Sequence, residues 1–244
     1  MSFDLFALRA RKLSYALRVP LFRRALRAGV LAGVEHTPAL RHLTPDLVID
    51  VGANRGQFAL VARHLWPAAR IASFEPLPGP AAICRSVMAG DERFTLFEAA
   101  VSTATGNSTI NVTSEDDSSS LLPLGEEHQR LYGSRVASTL TIKTGRLSSF
   151  IAPDRCPKAC LLKIDTQGFE LQVLKGSEEL FPRVQLIYAE LSFIELYKGQ
   201  PLASEVISYL HAMSYQLVGV FNVAHDGADR PVQADMLFSC AAKE

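Results

Sequence analysis

The sequence predicts an α/β fold: a mostly parallel sheet of seven strands, ended by a C-terminal antiparallel hairpin and preceded by an N-terminal helical extension. Three observations predict it. The first is the stretch 47–58. An apolar run broken only by Asp50 passes through Gly52 and Gly56 into the helical spacing of Phe58, Val61, Ala62 and Leu65. Such a run suits a strand covered on both faces, as parallel strands are. The second is the return of short apolar runs at Arg70, Phe94, Cys160 and Val184, most of them followed by helical spacing, which is the rhythm of βα units. The third lies at the C-terminus. Tyr215–Phe221 and Ala234–Cys240 are joined through His225-Asp226-Gly227 without a helix, so they must pair antiparallel.

The chain has 244 residues and 48% hydrophobic content, enough for one good-sized core. It divides into an extension, residues 1–45, and one domain, residues 46–244. Residues 3–32 read as helical with a break at Pro20. Phe3, Phe6, Leu13, Leu17, Leu21 and Phe22 alternate there with Arg9, Arg11, Lys12, Arg18, Arg23, Arg24 and Arg27. Two readings stand: an arm packed on the domain, or a basic amphipathic surface for a membrane or an anionic glycolipid. Net charge is zero and the pI is about 7.0, so whole-chain electrostatics favour no nucleic acid.

No run approaches the roughly 18 apolar residues of a membrane span, and the N-terminus lacks the apolar stretch of a signal peptide. Cys84, Cys156, Cys160 and Cys240 lack the neighbours that would complete a zinc site. Reduced thiols in the cytoplasm are expected, with a peripheral place on the inner membrane face under the second reading of the arm.

A glycine turn between strand and helix forms a ligand cradle at the carboxyl end of a sheet. A dinucleotide fingerprint would need further glycines at Asn54 and Gln57, which weakens a pyrophosphate reading. Asp50, just before Gly52, suits a cationic ligand. Gly52 and Gly56 in a G-x-x-x-G form after an acid have the shape associated with S-adenosylmethionine (SAM). The candidate cofactor contacts on this stretch are Asp50, Gly52, Asn54, Gly56, Gln57 and Phe58; the alternative is an ordinary strand–loop–helix crossover. The next strand, Arg70–Phe74, runs into Glu75 and Pro76 about 20 residues after the glycine turn, where a ribose-binding carboxylate is expected. Pro76 ends the strand.

Pro80–Ala89 reads as a helix and Phe94–Val101 as the third strand with its exit. Residues 103–145 break the rhythm. Ser108–Val112 and Ser138–Thr144 alternate and are expected to pair as an inserted hairpin, with a serine-rich loop over Thr113–Gly133 between them. Cys160–Asp165 is the fourth strand, followed by a helix through Leu171, Val173 and Leu174. Val184–Glu190 is the fifth strand, and Ser204–Met213 a helix. Asp165 and Glu190 end neighbouring strands at the reacting crevice of an open α/β sheet. They suit a base and a positioning acid, or the pair holds Mg²⁺ with water and substrate oxygens. Glu170 and His225 are lesser candidates for the base.

VIDVGANRGQF at 48–58, SFEPLP at 73–78 and LLKIDTQGFELQVLKG at 161–176 resemble the FkbM family of SAM-dependent methyltransferases, in the family's order and separation. The resemblance covers about Glu35 to Cys240. It implies a Rossmann-like class I methyltransferase fold, SAM as cofactor, and O-methylation, often of a sugar hydroxyl. It implies that Ala100 and Val101 lie near the adenine and that Ser119 and Ser120 belong to a lid over the ligand. Gln167 stands where the family pattern has Glu. The rival readings are a nicotinamide-dependent oxidoreductase, opposed by Asn54, Gln57 and the terminal hairpin, and a SAM-binding module without activity. Asp50, Gly52, Glu75 and Asp165 speak against the latter.

Overall fold

The computed structural model describes Tyr15, residues 18–114 and residues 118–241. The main sheet has seven strands: β1 (Leu47–Val51), β2 (Arg70–Phe74), β3 (Phe94–Phe97), β7 (Cys160–Ile164), β8 (Val184–Ser192), β9 (Tyr215–His225) and β10 (Pro231–Cys240). Their order is β3-β2-β1-β7-β8-β10-β9. The first five run parallel, whereas β10 is antiparallel to both β8 and β9. The strand order reverses between β1 and β7, so their carboxyl ends diverge into the crevice where such sheets bind ligands.

All five residues of β1 and all five of β7 are buried, because helices cover both faces. On one face Ile49, Leu162, Ile187 and Phe238 pack under the helices Glu170–Ser177 and Ala203–Ala212. On the other, Val48, Leu161, Tyr188 and Leu237 pack under Gln57–Leu65 and the N-terminal extension. Phe22, Ala25, Val30, Val34 and Leu40 belong to this second cluster, so the described part of the extension shares the domain's core. The helix Pro20–Arg27 stops earlier than the expected boundary at residue 32. Gly29, at φ +73°, and Val30 donate back to the Leu26 and Ala25 carbonyls, closing a left-handed C-terminal cap. Residues 3–14, 16 and 17 of the expected helical arm lie outside the described residues.

A second, three-stranded sheet holds β4 (Ala100–Val101), β5 (Gly106–Thr113) and β6 (Val136–Gly145), in the order β4-β6-β5. The expected pairing of Ser108–Val112 with Ser138–Thr144 is present and antiparallel, Ser108 opposite Ile142 and Val112 opposite Ser138. Two expectations are corrected. Phe94–Val101 is not one strand: the chain leaves the main sheet after Phe97, and Ala100–Val101 pairs parallel with Thr144–Gly145. Thr113–Gly133 is not all loop, because Glu126–Tyr132 is a helix with Glu126 and Glu127 in its first turn and Gly133 at φ +70° after its end. Those end signals are legible in the sequence. Strands β9 and β10 also run further than expected, which puts His225 on the end of β9, opposite Pro231.

Candidate active site

The crevice is built on a close approach of two strand ends. Gly52 has φ +81°, and a Cβ there would lie 1.7 Å from the Asp165 carbonyl oxygen. Only glycine lets the turn after β1 pass the end of β7 at this distance. Asp165 N–H donates to the Val51 carbonyl at 3.0 Å, and Gly52 and Ala53 donate to Phe74. The ends of β1, β2 and β7 are therefore one rigid rim.

Glu75 locks that rim. Its Oε2 accepts from Asn54 N–H and its Oε1 from Leu77 N–H, both at 2.8 Å. Burial pushes its carboxyl up to about 7 despite those two bonds. The cavity beside it is lined by Gly52, Asn54, Glu75, Pro76, Ala100, Val101, Ser119, Ser120 and Asp165, together with Phe74, Leu77, Ile110 and Phe169. Its volume is about 90 Å³. A wider groove of about 580 Å³ lies at the amino end of the sheet, between Leu47, Arg70 and Phe150. It has neither the glycine turn nor the acids, and α/β sheets bind ligands at the opposite end.

The structure thus gathers nine of the residues singled out by sequence into one cavity and sets others away from it. Asp50 is fully buried beneath the turn, accepting from Ser73 Oγ at 3.2 Å and paired with Lys163 at 3.2 Å. Its charge is met by that lysine and does not face the cavity. Gly56 starts the helix against Cys84 and Val87. Gln57 offers its carbonyl to Gly33 N–H. Phe58 turns inward, with its ring 5.4 Å from His36 and 6.4 Å from Tyr188. His225 is exposed and does not line the cavity. Glu170 is buried and braces the turn after β7, accepting from Thr166 N–H, Thr166 Oγ1 and Gly168 N–H at 3.0–3.1 Å.

Lys163 was not singled out by sequence. It sits in the middle of the buried strand β7, 4% exposed. Its ammonium lies 3.2 Å from Asp50, 3.6 Å from Asp165 and 3.1 Å from the Gly52 carbonyl, to which it donates. Burial works against its charge, but Asp50 and Asp165 outweigh that and hold it above the ordinary lysine range. One polar residue inside an otherwise apolar strand is the signal that would have found it, because a buried charge requires a partner.

Asp165 and Glu190 do meet, through Gln167. Its Nε2 donates to Asp165 Oδ1 at 3.0 Å and stands 3.5 Å from Glu190 Oε2. Its Oε1 accepts from Tyr197 Oη at 2.8 Å, and its carbonyl accepts from Ser120 Oγ at 2.6 Å. Gln167 therefore ties the serine loop to both acids while holding φ at +56°. Burial, then the charges of Asp165, Asp235 and Glu170, raise the Glu190 carboxyl well above the usual range. Asp235 faces Glu190 across the β8–β10 pair and binds Tyr188 Oη, Asn222 Nδ2 and His36 Nδ1 at 2.7–3.2 Å.

SAM fits what is present. The buried Asn54 Oδ1 has no hydrogen-bond partner among the described residues, and Asn54 lines the cavity with Glu75, so this acceptor suits a ligand's donor. For a metal the fit is poor. An amide already bridges the two acids, and among the described residues no group of three or more His, Cys, Asp or Glu gathers to hold an ion.

A glycine turn, an acid at the next strand end and a sheet closed by an antiparallel hairpin define the class I methyltransferase fold. A solved structure of a candidate O-methyltransferase from Klebsiella pneumoniae shares it, with a TM-score of 0.51 at 13% identity over 91% of this chain and 88% of that one. The chain belongs to the family described as the methyltransferase FkbM domain, whose model matches residues 50–217. It is 30% identical to the 2-O-methyltransferase NoeI of Sinorhizobium fredii over 201 residues, 79% of each chain. It is 29% identical to the 31-O-demethyl-FK506 methyltransferase FkbM of Streptomyces tacrolimicus, over 70% of this chain and 72% of that one. The protein is therefore a methyltransferase.

Replacing Glu75 with Ala should weaken binding of SAM or its demethylated product about 10- to 150-fold, the worth of a charged hydrogen bond of roughly 1.5–3 kcal/mol. The wild-type affinity should also depend on pH. Free Glu75 titrates at about 7, and a cationic ligand with donor hydroxyls favours the carboxylate. Affinity should be full above pH 7 and decline below it, with proton release on binding. Calorimetry at pH 6 and pH 8 checks both statements; unchanged affinity in a folded Glu75→Ala protein would remove the assignment.

Proposed function

We propose that the protein is a SAM-dependent O-methyltransferase acting on a hydroxyl of a sugar, glycan or glycolipid. The observation that supports this is that Asp165 lines the cavity beside Glu75, with Glu190 drawn to Asp165 through the Gln167 amide. Bound there, SAM supplies an electrophilic methyl group on a sulfonium cation. Glu75 and Asn54 hold the nucleoside end, and the small Ala100 leaves room beside it. An alcohol needs its proton removed as it attacks. Asp165 is held by Lys163 and Gln167, so it suits positioning the hydroxyl and balancing positive charge. Glu190 has a raised pKa and weaker ties, so it suits taking the proton. The test is transfer of radiolabelled methyl from SAM to the producing cell's glycan and lipid-linked sugar fractions. Label appearing only in protein, RNA or unglycosylated lipid overturns the carbohydrate reading.

The protein is proposed to work in the cytoplasm. The helix Pro20–Arg27 buries Phe22 and Ala25 and leaves Arg23, Arg24 and Arg27 exposed. Among the described residues no helix is long and apolar enough to cross a membrane. That basic face supports a peripheral contact with an anionic membrane or glycolipid surface, which salt would screen. The full chain should float with acidic vesicles at low salt and be released at high salt. Absence of binding at low salt leaves the arm a packing element.

A further inference from the structure

We propose that Tyr132 is a specificity-determining platform for the acceptor: its exposed ring takes the C–H face of a sugar whose hydroxyl reaches Asp165 and Glu190. This rests on the carbohydrate reading above. Tyr132 is the last residue of the helix Glu126–Tyr132, which lies between β5 and β6 in the chain. Its ring packs 4.8 Å from His128, and His128 lies 5.1 Å from the ring of Tyr197. Tyr197 hydrogen-bonds Gln167, whose amide contacts Asp165 and stands near Glu190. Tilted ring contacts and hydrogen bonds therefore form a chain linking Tyr132 to the two acids.

Exposure changes abruptly along it. His128 and Tyr197 are 3% and 1% exposed, whereas Tyr132 is 46% exposed. A tyrosine serving only to fill the core would be covered like its neighbours. Tyr132 instead stands half-exposed at the outer end of this chain of contacts. Burial of its remainder and the charge of Glu190 both raise its hydroxyl's pKa, in keeping with a place beside that acid.

The chemistry selects a carbohydrate over a flat aromatic alcohol. A pyranose presents an apolar C–H face on one side and hydroxyls around its edge. A tyrosine offers a rigid, amphipathic surface at little entropic cost. Carboxylates and the Gln167 amide answer the hydroxyls. Sites that pair an apolar wall with a few placed polar groups fix orientation in this way.

The test uses the full chain and two variants, Tyr132→Ala and Tyr132→Phe. Acceptors are the cell's lipid-linked sugar fraction in methyl-transfer assays and a panel of methyl glycosides in saturation-transfer NMR with demethylated SAM bound. Tyr132→Ala should raise the half-saturating acceptor concentration about tenfold to thirtyfold, the scale of truncating an anchoring tyrosine. It should leave maximal rate and cofactor affinity near wild type and lose saturation transfer to the glycoside. Tyr132→Phe should keep all of these. Equal melting temperatures and cofactor affinities show that the variants fold.

Methylation of a sugar by Tyr132→Ala at the wild-type half-saturation overturns the platform and leaves the carbohydrate reading standing. Methyl transfer by wild type to a non-carbohydrate fraction alone overturns both.

Discussion

Glu190→Gln is expected to lower turnover by about 10²- to 10⁴-fold, the contribution of a general base, while the cofactor still binds. The Glu190 carboxyl stands 3.5 Å from the Gln167 amide that binds the cavity-lining Asp165, and burial and the neighbouring acids hold it well above the usual range. The base must be ionised to accept a proton. Activity of the wild type should therefore rise with pH through a value well above the ordinary glutamate range, and that acid limb should disappear in Glu190→Gln. Asp165→Asn should also lose most of its turnover, by a different route. Asp165 is one of the charges that raise Glu190, so its neutralisation should move the remaining acid limb to lower pH. A chelator should leave wild-type activity unchanged. Activity lost on chelation and restored by Mg²⁺ would instead assign the two carboxylates as oxygen ligands. Full turnover in both variants would place the chemistry elsewhere.

What could be read from the sequence followed the range of the interactions. The glycine turn and the acid at Glu75 were legible because each is a local requirement: a backbone that only glycine tolerates, and a strand end at a set distance from it. The hairpin was legible because two strands without a crossover can pair in only one sense. Phe58 was misplaced because helical spacing fixes which residues share a face and not what that face meets. Here it meets His36 and Tyr188, 22 residues before it and 130 after. The Gln167 bridge was illegible for a similar reason: its partners Asp165, Glu190 and Tyr197 come together only when β7, β8 and the loop after β8 are assembled. Asp50 shows the limit of reading charge by position. It stands where a ligand-facing acid was expected, yet its counter-charge comes from the neighbouring strand, where the β1–β7 register sets Lys163 opposite Asp50.

Lys163→Met should be the most damaging change to stability. The lysine is 4% exposed and Asp50 is 0% exposed, so removing the ammonium strands a buried carboxylate. Breaking a buried pair from one side costs about 3–5 kcal/mol, or roughly 6–20 °C in melting temperature at about 2–4 °C per kcal/mol for a chain of this size. The Gly52 carbonyl loses its donor at the same time, so the turn that passes under Asp165 should loosen and cofactor affinity should fall with stability. One control separates this from simple loss of packing. Adding Asp50→Asn to Lys163→Met removes the stranded charge and should recover part of the lost stability, a coupling that distant sites do not show. Thermal melts of the single and double variants at pH 8 measure it. If Lys163→Met melts with the wild type at pH 8, the ion pair is not what holds the β1 and β7 ends together.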